Sequence, residues 1–159
     1  RKSTYGTLNE RAIKYVYCKK PGATPGSCAT TDNLVEIGNA NPDFSGFPIV
    51  TNHETGKGEA THLGLFLWED DEIATFTSDG VTVEGTFTMT AADGDILYGT
   101  FLASASFDQE GNLLIHGDYV FDGGTGRFEN ATGTGTLDAI GYFSEGFPIE
   151  GTFEGTIEY

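Results

Sequence analysis

From residue 58 to the C-terminus the sequence alternates apolar and polar residues in one short run after another, and each run ends at a turn signal. In VTVEGTFTMT, Val81, Val83, Gly85, Phe87 and Met89 share one phase, and Thr82, Glu84, Thr86, Thr88 and Thr90 the other. The last run repeats the design, with Phe147, Ile149, Gly151, Phe153, Gly155, Ile157 and Tyr159 in phase. So do Leu97, Gly99, Phe101, Ala103, Ala105 and Phe107, and Leu113, Ile115, Gly117, Tyr119 and Phe121. A period of two sends successive side chains to opposite faces of a strand, so the pattern argues against helices and for antiparallel strands with one buried face. Turn signals at Asp70-Asp71, Ser78-Asp79-Gly80, Ala92-Asp93-Gly94, residues 109–112, Gly123-Gly124 and residues 144–146 are spaced as a β-meander requires.

The 159 residues suit one domain with one core. The expected fold is all-β: a closed antiparallel barrel of about eight strands over residues 1–159. Residues 56–159 form its meander core. Residues 1–55 read as less regular, because they carry four of the five prolines and both cysteines. Within them, residues 12–17 and 34–38 read as strands and residues 39–56 as a long irregular connection. Glycines recur in the inward phase at Gly64, Gly85, Gly99, Gly117, Gly135 and Gly151. A missing side chain there lets a small barrel coil sharply, and it also leaves room in the lumen for a ligand.

The formal net charge of −16 repels phosphate backbones and anionic lipid headgroups, so neither nucleic acid nor an acidic membrane surface is expected as a partner. The charge reads either as solubility outside the cell or as cation capture. No run approaches the ~20 apolar residues of a membrane span, so no membrane insertion is expected. The start at Arg1, without a methionine, leads to the expectation of a leader cleaved off or lying outside this segment. Cys18 and Cys28 flank a loop-forming KKPGATPGS segment. A bridge between them suits a secreted or periplasmic protein; two free thiols or a metal pair are the alternatives, although no nearby histidine completes a metal set.

The segment GDYVFDGGTGRFENATGTG, residues 117–135, resembles the signature of the allene oxide cyclase and dirigent barrel superfamily. The matching residues are Gly123, Gly124, Thr125, Gly126, Phe128 and Gly133. GEATHLGLF, residues 58–66, is similar to uncharacterised bacterial secreted barrels of this type. The resemblance covers about residues 56–159 and implies an eight-stranded barrel with a short helical turn after the GGTG motif. It also implies association into homo-oligomers, and a lumen that in some relatives binds or cyclises hydrophobic, oxygenated molecules without a cofactor. No cofactor is expected here. The GGTG glycines do not read as a phosphate cradle, since no Lys-Ser/Thr follows.

If the phases above hold, the inward wall is nearly devoid of titratable groups. Its polar members are His62, Tyr119 and Tyr159, with Trp68 in the phase of His62. His62 alone titrates near neutral pH, so His62 and Tyr119 are the catalytic candidates. Trp68, Phe87, Phe101, Tyr119 and Phe153 are the candidate ligand-binding wall. His53 and His116 read as solvated, and no spacing supports a metal site. Residues 69–72 and Asp93-Gly94-Asp95 read as solvated turns without EF-hand spacing. No Ser, His, Asp arrangement is recognisable. The Asn130-Ala131-Thr132 sequon matters only in a eukaryotic secretory host. The expected function is therefore binding of a small apolar or aromatic molecule in the lumen. A cofactor-free cyclase or isomerase, and a structural or interaction barrel filled by its own side chains, are the alternatives.

Overall fold

The computed structural model describes residues 16–17, 29–30, 34–60, 62–143 and 146–159. Eight long strands make the body: β3 (Leu34–Asp43), β4 (Ile49–Ala60), β5 (Gly64–Thr77), β6 (Gly80–Ala91), β7 (Ile96–Phe107), β8 (Leu113–Gly124), β9 (Thr132–Gly141) and β10 (Pro148–Glu158). Two short strands, β1 (Val16–Tyr17) and β2 (Ala29–Thr30), lie beside them. Each long strand pairs antiparallel with the next from β3 to β10, and β10 pairs in addition with β3 from Pro148↔Asn39 to Phe153↔Leu34. Beyond that point β1 takes the free side of β10, parallel, at Thr156 and Ile157. The result is an all-β, strongly curled, barrel-like sheet.

The alternation sets this curl. Val81, Val83, Phe87, Met89, Leu97, Phe101, Ile115, Tyr119, Phe121, Phe153 and Ile157 are all buried, as the period-two pattern requires. Phe107 departs from its phase: it ends β7 and stands 54% exposed, packed on Phe143. Phe147 also departs, because it precedes β10 in a left-handed conformation (φ 63°). Gly99 and Gly135 of the inward phase receive rings rather than leave a void, whereas Gly85 and Gly117 are approached by the neighbouring strand's own backbone and side chains. A Cβ on Gly99 would stand 2.7 Å from Cζ of Phe87, and one on Gly135 would stand 2.5 Å from the Tyr119 hydroxyl. Gly64 is instead a turn glycine, with φ 66° at the start of β5.

Residues 39–56 are not an irregular connection. They hold the second half of β3, a short 3-10 turn over Phe44–Gly46, and most of β4. Pro42 is compatible with β3 because β10 pairs with that strand only as far as Asn39, so the missing N–H faces no partner there. Asp70-Asp71 is likewise not a turn; both residues lie inside the 14-residue β5. The proposed Cys18 and Cys28 bridge lies outside the described residues. So does most of the strand expected at residues 12–17, of which Val16–Tyr17 is described.

An up-and-down order places the β4–β5, β6–β7 and β8–β9 turns at one end. At this end a 3-10 turn, Gly126–Phe128, follows the GGTG motif, and Phe128 is fully buried. Arg127 fastens the same end through Asp93, Asp95 and the carbonyl of His62. The β3–β4, β5–β6, β7–β8 and β9–β10 turns form the other end.

Candidate functional site

The middle of the lumen is filled with rings. Trp68 stacks on Phe87 at 4.9 Å between centroids with planes 10° apart. Phe153 tilts against Trp68 at 4.9 Å, and Tyr119 meets Phe121 and Phe153 edge-on at 5.0 and 5.4 Å. Edge and offset contacts of this kind add to the stabilisation that area burial gives. Of the expected ligand wall, the structure brings Trp68, Phe87, Tyr119 and Phe153 together as this packed layer, and Phe121 joins them. Phe101 is buried on the wall of a small chamber beside it.

That chamber, of about 30 Å³, carries the chemistry that the inward pattern lacked. β4 and β5 pair with Glu54 opposite Asp70 and Asn52 opposite Glu72, in phase with buried Val50, Trp68 and Ala74. Glu54 and Asp70 are 3% and 5% exposed. The wall is therefore not free of titratable groups, because three carboxyls enter it from two neighbouring strands. Facing them are Phe101, Ile115, Leu137, Ile149 and Phe153.

The polar partners are few and specific. The Trp68 Nε1–H donates to Asp70 Oδ2 at 3.0 Å, and Asn52 Nδ2 donates to Glu72 Oε1 at 2.7 Å. Asn52 Oδ1 in turn accepts the backbone N–H of Asn41 at 2.7 Å. Asp70 Oδ1 is buried and has no hydrogen-bond partner. Burial, then the neighbouring Glu54 and Glu72 charges, push the Asp70 carboxyl up to about 9, although the Trp68 hydrogen bond opposes this. Glu72 is raised as well, by burial against the opposing hydrogen bond from Asn52. Asp70 is thus a neutral acid at pH 7. Among the described residues, no group of three His, Cys, Asp or Glu side chains could hold a metal ion.

A second chamber of about 50 Å³ shares Glu72, Ile115 and Ile149 with the first. Its walls are apolar: Val50, Ala74, Phe76, Leu113, and the aromatics Phe44, Phe143 and Phe147. Phe147 meets Phe143 at 5.0 Å and Phe44 at 6.4 Å. These rings belong to the β3–β4 and β9–β10 turns, so the chamber lies at the end opposite Phe128.

His62 occupies the β4–β5 turn rather than a strand. Its Nδ1 lies 3.3 Å from the Tyr159 hydroxyl, and its carbonyl accepts from Arg127. It belongs to the end plugged by Phe128, which itself packs on Tyr159 at 5.1 Å. The other catalytic candidate, Tyr119, belongs to the central aromatic layer.

A recess of about 750 Å³ lies across β6 to β10 and includes Ser104, His116 and Asp138. These three residues are registered neighbours on β7, β8 and β9. His116 Nδ1 lies 2.6 Å from Asp138 Oδ1, but Ser104 Oγ donates to the His116 backbone carbonyl at 3.5 Å and not to its ring. The Asp138 hydrogen bond and charge raise the His116 pKa, which favours the imidazolium over the free base. With that side chain 68% exposed, the row is a solvated ion pair without a nucleophile in line. His53 is also exposed, between Asp71 and Glu69.

Comparison of the chain with protein-family models, with curated proteins and with solved structures finds no match.

Proposed function

We propose that the chain is a secreted, closed eight-stranded barrel that binds a small apolar or aromatic molecule through the end ringed by Phe44, Phe143 and Phe147. Closure is supported by the pairing of β10 with both β9 and β3. Kinship with the allene oxide cyclase and dirigent barrels is supported by the GGTG turn, its 3-10 helix and the plugging Phe128.

The observation that carries the binding reading is a pair of neighbouring chambers with shared walls, the outer one apolar and the inner one ending on a buried, half-satisfied acid. Ligand sites have this makeup: mostly apolar walls with a few convergent polar groups that fix orientation. A barrel filled only for stability gains nothing from burying Asp70 with one oxygen unpartnered, because such a carboxyl costs more than an apolar residue in its place. The packed rings restrict the occupant's head to the two chambers, and its body rests on the aromatic rim. A cyclase reading centred on His62 has weaker support, since His62 lies at the plugged end with Tyr159.

Trp68 is the single tryptophan, so its emission reports on the chamber directly. Titration with 2-phenylethanol or 1-naphthol is expected to give a saturable, one-to-one change in Trp68 fluorescence. Ile149→Trp, which fills the wall shared by both chambers, should abolish the 1-naphthol response as judged by calorimetry. No saturable response to either compound up to millimolar concentration would defeat the reading.

A further inference from the structure

We infer that the outer recess across β6 to β10 is a second binding site, which takes a short, linear, uncharged glycan along the rank Thr82, Ser104, His116, Asp138 and Thr152. The site is separate from the apolar lumen and does not depend on it. Register sets the rank: Thr82 stands opposite Ser104, Ser104 opposite His116, His116 opposite Asp138, and Asp138 opposite Thr152. Five adjacent strands therefore present five hydrogen-bonding side chains at one level, over roughly 19 Å at the usual strand spacing. All are exposed except the half-buried Thr152, and they line a recess of about 750 Å³, the size of a small-molecule cleft.

The hydrogen bonds already made select the groups a ligand must offer. Thr152 Oγ1 donates to the Asp138 carbonyl at 3.1 Å and Ser104 Oγ to the His116 carbonyl at 3.5 Å, so both hydroxyl oxygens keep lone pairs for an incoming donor. The Asp138 carboxylate adds further acceptors between them. A ligand rich in O–H donors satisfies such a row, whereas a ketone or an ether, which only accepts, does not. His116 supplies the complementary donor: Asp138 holds its Nδ1 and favours the imidazolium, whose Nε2–H remains to donate to a hydroxyl oxygen.

Charge and backbone narrow the class. The charges at the centre of the rank, His116 and Asp138, are paired with each other, so selection falls to hydrogen bonds. The net charge of −16 repels phosphates and acidic sugars. An extended peptide binds best by adding to a sheet edge, but β6 to β10 are each paired with strands on both sides here and offer none. Leu114 and Ile140, opposite each other one level nearer the turns, give the C–H face of a sugar ring an apolar strip to rest on. Many hydroxyls, no charge and alternating C–H faces describe a neutral glycan.

The test titrates isotopically labelled protein at neutral pH with cellotetraose, maltotetraose and mannotetraose, and with tetragalacturonate as the charged match in length, followed by amide NMR. At least one neutral glycan should shift the signals of Ser104, His116, Asp138 and Thr152 saturably at millimolar concentration, and tetragalacturonate should leave them in place. Thr152→Val removes one hydroxyl while keeping the shape of the side chain, and should weaken that glycan about fivefold, the loss of one net hydrogen bond. Thr134→Val, on the same face of β9 but two levels away, should bind it as the wild type does. Unchanged Trp68 emission verifies that both variants fold. No saturable shift with any of the three neutral glycans, equal binding of tetragalacturonate, or a Thr152→Val protein of wild-type affinity overturns the proposal. So does a glycan that displaces 1-naphthol, since that would place it in the lumen.

Discussion

Asp70→Asn should make this protein more stable at neutral pH, and increasingly so as the pH rises. In the folded protein the Asp70 carboxyl keeps its proton to about 9, while the unfolded chain releases it near the ordinary aspartate value of 3.8. Between those limits the native state binds one proton more than the unfolded state, so stability falls as pH rises, by about 1.4 kcal/mol per unit. The contribution is fully present below about pH 4 and is lost progressively up to about pH 9. From pH 4 to pH 7 the loss attributable to this residue is of order 4 kcal/mol, less whatever relaxation and water entry recover. Asparagine is shaped like the neutral acid, can accept the Trp68 N–H through its carbonyl, and has no charge to bury. Urea melts of both proteins at pH 4.5, 6, 7.5 and 9, followed by Trp68 emission, isolate the effect. The wild-type curve should fall relative to the variant by at least about 1 kcal/mol between pH 4.5 and 7.5. Parallel curves would mean that Asp70 titrates as a solvated carboxylate, and the interior acid would have to be abandoned.

Phe87→Ala and Phe153→Ala remove rings from the central layer and should each cost about 3–5 kcal/mol in chemical denaturation, whereas Thr86→Ala on the exposed face should cost under about 1; equal losses would refute the facing of β6 and β10. His116 should titrate by NMR above the ordinary histidine value and return toward it in Asp138→Asn; no difference between the two proteins would remove the ion pair.

The curled sheet was legible because β6, β7, β8 and β10 each keep their apolar phase for most of a strand. The GGTG turn was legible because paired glycines ahead of Phe128 permit a reversal that other residues resist. The acid chamber was not. Asp70 and Glu72 sit in phase with Phe66, Trp68, Ala74 and Phe76, so the signal existed, but a run of four acids reads as solvated because burying carboxylates is costly. Asn52 and Glu54 were hidden in the same way by Pro42, Gly46 and Pro48, which suggested a loop where a three-residue 3-10 turn joins two long strands. His62 fell two residues before β5, in the turn, where alternation no longer fixes direction.

Native mass spectrometry of the protein isolated from its own source tests the central claim most directly. A binding barrel should carry a small apolar or aromatic molecule at one copy per chain, released on denaturation. A spectrum of ligand-free protein that also takes up neither 2-phenylethanol nor 1-naphthol would contradict it.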